Sequence, residues 1–334
     1  MTAVLSLLVA LLITLALLWP LRRLALSLRI MDDPGPRKIH TDPVPYLGGV
    51  AMLAGLSAAV LWLRPEWWSV AIMLACVTAI GLVDDIRYLP VWVKLVGEVT
   101  VACAAVALGF SWHLTDSAGV NAAFSILWIV GLTNSFNMLD NMDGLAATVA
   151  AFSVIAMAVL APTSAVVAAP LAGAAIAFLV VNRPAAKMYM GDAGSLMVGF
   201  GVALCSITAA NSRHGLHSAA LLVVPVAVAL FDTSLVIVSR LASRRPVQLG
   251  GKDHFSHRLR LLGWTQYQVL GIAATGCVVA SAAAALALRY PVAEAWLAVP
   301  LLLAFAVAWV ALLRVDPYAS TVHPVLEVRS AHGI

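Results

Sequence analysis

Residues 131–147 read GLTNSFNMLDNMDGLAA. The stretch starts as the tail of an apolar run, Ala122 to Leu132. It then places Asn134, Asn137, Asp140, Asn141 and Asp143 within ten positions and returns at once to apolar residues. Carboxylates and carboxamides between two membrane-length apolar runs are costly unless they find partners. On a helix, positions three and four apart are neighbours, so helical spacing puts Asn134, Asn137 and Asn141 on one face. Such a face offers oxygen ligands, which hard cations such as Mg²⁺ prefer. The plainer alternative is a polar hairpin turn closed by Gly144, since Asn, Asp and Gly are turn formers. The rest of the chain shifts the balance toward a site.

Of 334 residues, 62% are hydrophobic and only 11% are charged, with a mean hydropathy of +0.97. A soluble domain has about a quarter charged residues, so the composition predicts an integral membrane protein. Backbone groups in lipid must be paired within the segment, so the apolar runs read as helices. The alternating pattern of an outer-membrane barrel is absent. Cys76, Cys103, Cys205 and Cys277 all lie inside apolar runs and read as small buried residues, not as disulfides or metal ligands. Val4 to Pro20 has no preceding basic region or clear cleavage site and reads as a retained transmembrane helix.

The fold class expected is all-α: one polytopic domain over residues 1–334 with eleven spans, at about 3–21, 47–63, 68–83, 92–110, 122–139, 144–161, 164–181, 194–211, 218–240, 267–288 and 294–313. With the N-terminus outside, the outer connections carry only Arg64, Arg213 and Arg289 of the 20 basic residues, which favours N-out and C-in. The net charge of +4 then reflects topology and anionic head groups, not a nucleic-acid partner. Acidic residues gather on the same inner side, with only Glu66, Asp116 and Glu294 outside. Charges of both signs on one face suggest a polar reaction site at the cytoplasmic surface. Glu98 and Asp232 are the carboxylates inside spans, and Asp232 is placed to pair with Arg240 or a neighbouring helix.

The inner loops carry the chemistry. DDPGPRKIHTDPVPYLGG, residues 32–49, is kept irregular by proline and glycine. Arg37, Lys38 and His40 offer cations for phosphate or a base, and Gly48 and Gly49 would let a ligand or a helix come close. Asp84 and Asp85 end a span. They diverge by about 100° on a helix, so one could bind metal or act as base while the other orients it. Lys94 follows at the start of the next helix and can reach a diphosphate; an ordinary acidic helix end with Arg87 as partner is the alternative. GDAGS, residues 191–195, opens a span whose free N–H groups suit a phosphate, or Asp192 is its N-cap. In GGKDHFSHRLRLLG, residues 250–263, a helix would put His254, His257 and Arg258 on one face and Phe255, Leu259 and Leu262 on another. Together these groups are the equipment of phosphoryl transfer at a membrane surface, where positioning and charge neutralisation supply most of the catalysis.

RKIHxxPxPxxGG, the Asp84-Asp85 pair with a later Lys, NxxNxxDxxDG, GDAGS and DHFSHRL occur in that order over about residues 30–262. The set resembles the polyprenyl-phosphate N-acetylhexosamine-1-phosphate transferases, which include the phospho-MurNAc-pentapeptide translocase, the bacterial UDP-GlcNAc:undecaprenyl-phosphate transferase and the eukaryotic dolichyl-phosphate enzyme. The resemblance implies that a UDP-N-acetylhexosamine and undecaprenyl phosphate give a lipid-linked diphospho-sugar and UMP. The cofactor implied is Mg²⁺, with Mn²⁺ as a substitute. By motif position, Asn137 and Asp192 would hold the metal. Asp84, with Asp85 beside it, would meet the lipid phosphate, and Lys94 would neutralise the diphosphate. Asp143 would read the uracil, and Asn134 and Asp140 would order the metal site. His254, His257 and Arg258 would contact sugar and diphosphate, with Lys38 and His40 on the substrate side. A phosphate monoester is already largely dianionic at pH 7, so Asp84 is expected to position more than deprotonate.

Ser256 stands where the GlcNAc-type branch has the middle His of His-x-His-His, and the three successive histidines of the peptidoglycan translocases are absent. The GlcNAc-type branch is therefore expected, with another UDP-N-acetylhexosamine or UDP-MurNAc-pentapeptide as alternative donors. The resemblance also implies a multi-pass protein of the bacterial inner membrane, at the first membrane step of a cell-envelope polysaccharide. A homodimer is an open expectation. A secondary transporter would place its polar groups near the bilayer midplane, whereas these sit at helix ends. A CDP-alcohol phosphotransferase needs Ala-Arg and further aspartates after Asp143, and Thr148 follows Ala147 instead.

Overall fold

The computed structural model describes residues 2–32, 43–248, 250–290 and 293–318. The helices are α1 (Thr2–Leu28), α2 (Gly48–Leu63), α3 (Trp68–Ile86), α4 (Val91–Ala107), α5 (Ala118–Leu139), α6 (Leu145–Leu160), α7 (Ala165–Asn182), α8 (Gly191–Ala210), α9 (Gly215–Val223), α10 (Ala227–Ala242), α11 (Phe255–Leu261), α12 (Gln266–Arg289) and α13 (Ala293–Leu313). Every expected apolar segment is helical. Among the described residues seven helical segments are long and apolar enough to cross a membrane, and Gly48–Leu63, Leu145–Leu160 and Leu302–Leu313 are shorter apolar helices. The protein is therefore an all-α polytopic membrane protein.

Two details differ from the sequence reading. The 218–240 segment is interrupted by a 3₁₀ turn at Val224–Val226, because Pro225 brings no backbone N–H to an α-helical ladder. The loop after α1 also carries a two-residue antiparallel pairing, β1 (Met31–Asp32) with β2 (Val44–Pro45). Elsewhere the punctuation is local chemistry. The Ser117 side chain caps α5 through the Val120 N–H, and Thr265 with Gln268 forms a capping box on α12.

α8 is the axis of the bundle. It packs on α3 and α5, and α1 packs on α2 and α7. In α8, 94% of the most apolar window is buried, against 22% for α1 at the periphery. Small residues make this close packing possible. A Cβ at Gly49 of α2 would strike the backbone of Gly194 in α8, and one at Gly81 of α3 would strike the backbone at Asp192. The close approach expected at Gly48 and Gly49 is thus to a helix, and their N–H groups donate to Tyr189 O and Met190 O, both at 3.1 Å.

Alternation of direction gathers the ends of α3, α5 and α7 with the starts of α4, α6 and α8. A cavity of about 320 Å³ lies there. At the other end of the same helices a second cavity, of about 350 Å³, is lined by Trp67, Phe110, Thr163 and Asn211 among others.

Candidate active site

The quoted stretch is both helix and turn. α5 ends at Leu139, with Asp140 as its C-cap, and Gly144 at φ 75° starts α6 in the left-handed region that glycine tolerates. The expected common face of Asn134, Asn137 and Asn141 is therefore not formed. Asn137 reaches the cavity wall; Asn141 does so from the turn. Asn134 instead donates to Glu98 of α4 and to Val130 O at 2.9 Å. Asn182, which the sequence reading passed over, closes the turn: its Oδ1 accepts from Gly144 N at 2.9 Å and its Nδ2 donates to Met188 O at 3.0 Å.

The two adjacent aspartates take separate jobs. Asp84 Oδ1 accepts from the Leu89 N–H at 2.7 Å, and its Oδ2 from Lys94 Nζ at 2.9 Å. Lys94, not Arg87, is its cationic partner. Asp85 turns the other way and accepts from the N–H groups of Asp192 at 2.8 Å and Ala193 at 3.0 Å. The N-terminus of α8, expected to receive a phosphate, is thus occupied by a carboxylate from α3. Nor is Asp192 the N-cap. That position is Met190, which offers no side-chain bond, and Asp192 lies in the first turn.

Asp192 is the hub. Its Oδ2 accepts from Lys94 Nζ at 2.5 Å, and its Oδ1 from Asn137 Nδ2 at 2.9 Å. The Asn137 amide nitrogen also reaches Ser195 Oγ at 2.9 Å. Lys94 thus ties α4 to Asp84 of α3 and Asp192 of α8. Asp85, Asn137, Asp140, Asp143 and Asp192 line the cavity, together with Asp32, Tyr46 and Tyr189. Tyr46 donates to Asp32 Oδ1 at 2.5 Å, and Asp143 accepts from the Ala186 N–H at 3.0 Å. Burial, and then the charges of Asp192, Asp85, Asp143 and Asp32, push Asp140 up to about 8. Among the described residues the wall thus gathers five carboxyl groups, Asp32, Asp85, Asp140, Asp143 and Asp192.

This donor set fits a hard divalent cation, being all oxygen. Among the described residues no three His, Cys, Asp or Glu side chains converge at ligating distance.

The expected cationic face of the last loop is broken up. α11 begins at Phe255 with His254 as N-cap. His254 is buried, with Nδ1 2.7 Å from Asp232 Oδ2, and the same carboxylate accepts from the Phe255 N–H at 2.9 Å. Asp232 thus pairs with His254 and not with Arg240, whose Nε donates to Asp253 at 3.0 Å. Arg258 is buried and does not line the cavity. It donates to Asp253 O at 2.8 Å, to Leu312 O at 2.9 Å, to Val315 O, and to Ser239 Oγ at 2.6 Å. It clamps the end of α13, and these oxygens occupy its donors. Of the three residues only His257 lines the cavity. Burial, and then the neighbouring His254, hold it down at about 4, so it is neutral at pH 7. Ser256 Oγ donates to Asn141 Oδ1 at 2.5 Å, joining α11 to the turn after α5. The expected apolar face is also uneven: Phe255 is buried, Leu259 half-buried and Leu262 exposed. Lys38 and His40 lie outside the described residues.

Residues 67–210, which carry Asp84, Asp85, Lys94, Asn137 and Asp192, match the model of glycosyl transferase family 4. The chain is 32% identical over 298 residues to a protein of Mycobacterium tuberculosis named decaprenyl-phosphate N-acetylglucosaminephosphotransferase, covering 75% of this chain and 74% of that one. It is 28% identical over 271 residues to a probable undecaprenyl-phosphate N-acetylglucosaminyl 1-phosphate transferase of Bacillus subtilis, covering 75% and 76%. It is also 28% identical over 279 residues to the phospho-N-acetylmuramoyl-pentapeptide-transferase of Lactobacillus gasseri, covering 72% and 84%.

Proposed function

The chain belongs to glycosyl transferase family 4, a family of polyprenyl-phosphate sugar-1-phosphate transferases, and from that premise we propose that it moves GlcNAc-1-phosphate from UDP-GlcNAc to undecaprenyl phosphate, releasing UMP. It is a sugar-phosphate transferase of the membrane; the donor, the acceptor, the cytoplasmic face and the bacterial inner membrane are the proposal. The observation that carries it is the Lys94 ammonium between Asp84 and Asp192, with Asn137 on the other oxygen of Asp192; of these four, Asn137 and Asp192 line the cavity and Lys94 and Asp84 do not. Two relatives named for N-acetylglucosamine favour that donor over the muramoyl-pentapeptide named for the third.

In this reading an oxygen of the acceptor phosphate attacks the sugar-bearing phosphorus of the donor. The bond from that phosphorus to the UMP oxygen breaks, and UMP leaves with the electron pair. Asp84 holds Lys94 in place while Lys94 offsets charge on the diphosphate, which is most of what such a transfer asks of a protein. Asp85 fixes the start of α8, and with it the direction of Asp192. His257, neutral at pH 7, offers a hydrogen bond from the opposite wall to sugar or diphosphate. Asp192 and Asn137 would hold Mg²⁺, which would supply further neutralisation of the phosphate oxygens.

The test is UMP release by purified protein in detergent with undecaprenyl phosphate, Mg²⁺ and, separately, UDP-GlcNAc, UDP-GalNAc and UDP-MurNAc-pentapeptide. Release with UDP-GlcNAc alone, abolished in Asp192→Ala and by EDTA, is expected. Release only with another donor would replace the sugar and keep the reaction. Release with none, from folded protein, would overturn the proposal.

A further inference from the structure

Asp232 lies in α10, fully buried, in a segment apolar enough to span a membrane. A carboxylate there needs strong partners to be tolerated. Among the described residues it has two, both at the start of α11: the imidazole of the N-cap His254 at 2.7 Å and the Phe255 N–H at 2.9 Å. One oxygen fixes a side chain and the other fixes the backbone at the first turn of that helix. Accepting from Nδ1–H also selects the tautomer of His254. The His254 ring sits edge-to-face on His257, with centroids 5.9 Å apart. His257 is the member of α11 that faces the cavity, and Ser256 beside it bonds Asn141 on the cavity rim. A line of direct contacts therefore runs from Asp232 through His254 to His257.

We propose that Asp232 is a positioning residue for the transfer reaction. Its carboxylate grips His254 and the backbone of α11, and so sets where His257 meets the cavity. It touches no ligand. Its grip is transmitted through one imidazole and one short helix, so its effect on turnover exists only while His257 is present. The inference rests on the cavity being the transfer site, but its first readout does not.

That readout is the ring signal of His257 in protein labelled with ¹³C-histidine, assigned by its loss in His257→Gln. Asp232→Asn is expected to move the signal in the absence of any substrate; an unmoved signal overturns the proposal whatever the reaction proves to be. The second readout is UMP release. Asp232→Asn is expected to lower kcat by about 10–100-fold, the range of outer-shell groups that orient a functional histidine, with KM for the donor unchanged. Asp232→Asn combined with His257→Gln is expected to be no slower than His257→Gln alone, because coupled residues do not add. Losses that multiply in the double variant overturn the proposal. His254→Asn and His254→Leu keep the test open should Asp232→Asn fail to fold. Asn presents an amide N–H close to the position of Nδ1 and is expected to retain turnover, whereas Leu is expected to lose it. Equal activity of the two would also overturn the proposal.

Discussion

Asp85→Ala tests whether this aspartate serves the helix or the ligand. Its carboxylate accepts from the N–H groups of Asp192 at 2.8 Å and Ala193 at 3.0 Å. Met190, the N-cap of α8, contributes no side-chain bond of its own. A hydrogen bond to a charged acceptor contributes about 1.5–3 kcal/mol, and loss of a helix cap costs about 1 kcal/mol and up to about 2. Removing both bonds at the start of a buried helix should therefore cost about 3 kcal/mol. At roughly 2–4 °C per kcal/mol, the unfolding midpoint in detergent should fall by about 6 °C or more. Asp85→Asn keeps one accepting oxygen and should fall between wild type and Ala. Gly191→Ala provides an independent approach. Gly191 has φ 68°, and a Cβ there would lie against the Asp85 carboxylate, 2.9 Å from Oδ1. It should therefore destabilise through the same contact, and its cost should not add fully to that of Asp85→Ala. Midpoints from thiol-dye or tryptophan fluorescence decide the matter. An Asp85→Ala protein with the wild-type midpoint and no turnover would refute the capping argument and return Asp85 to the ligand.

Lys94→Gln should lower UMP release by about 100-fold or more, because it removes a positioned charge that the diphosphate would meet; near-normal release would show the ammonium to be a structural tie only. Arg258→Met should behave in the opposite way. Turnover in the surviving protein should be near wild type while the midpoint drops by several degrees, since breaking a buried, multiply bonded cation costs about 3–5 kcal/mol; a kcat collapse at an unchanged midpoint would put Arg258 on the substrate. His257 is held at about 4 in the folded protein against an ordinary value near 6.5, so the unfolded chain takes up its proton first. Its contribution to stability is complete above about 6.5 and is lost as the pH falls toward about 4, and the midpoint of wild type should fall more than that of His257→Gln across this window.

The membrane class and the helices were legible because lipid leaves the backbone few alternatives. Long apolar runs and proline or glycine breaks then set the boundaries to within a few residues. Costly polar residues at helix ends on one side were legible as one site, and the resemblance put Asn137 beside Asp192. The Asp84–Lys94 pair was not legible, because spacing offered Arg87 to the acid and a diphosphate to Lys94. What escaped was direction. Helical spacing offered Asn141 a place on the face of Asn134 and Asn137, and turn chemistry offered it a hairpin closed by Gly144; spacing alone did not choose, and Asn141 lies in the turn. Arg258 and His254 have the residue types of a phosphate site, and nothing in their spacing tells that one is spent on the carbonyls of α13 and the other on Asp232. Those are contacts between segments distant in sequence. Asp85 deceived for a similar reason, since the free N–H groups of α8 are visible in the chain but the carboxylate that fills them comes from another helix. Asn182, Tyr46 and Tyr189 carried no polar cluster to mark them; their sole signal was a place beside an inner loop.

The packing of α8 bears on traffic across the membrane. Asp192 stands at the floor of one cavity and Thr208 on the wall of the other. Sixteen helical steps separate them, about 24 Å at 1.5 Å per residue. Between them Leu196, Met197, Phe200 and Leu204 are all sealed in the core. A core at such density has no room to pass a hydrated sugar diphosphate. Under the proposed reaction, the lipid-linked product therefore leaves on the side of the bundle where the lipid arrived, since α8 opens no way through to the second cavity.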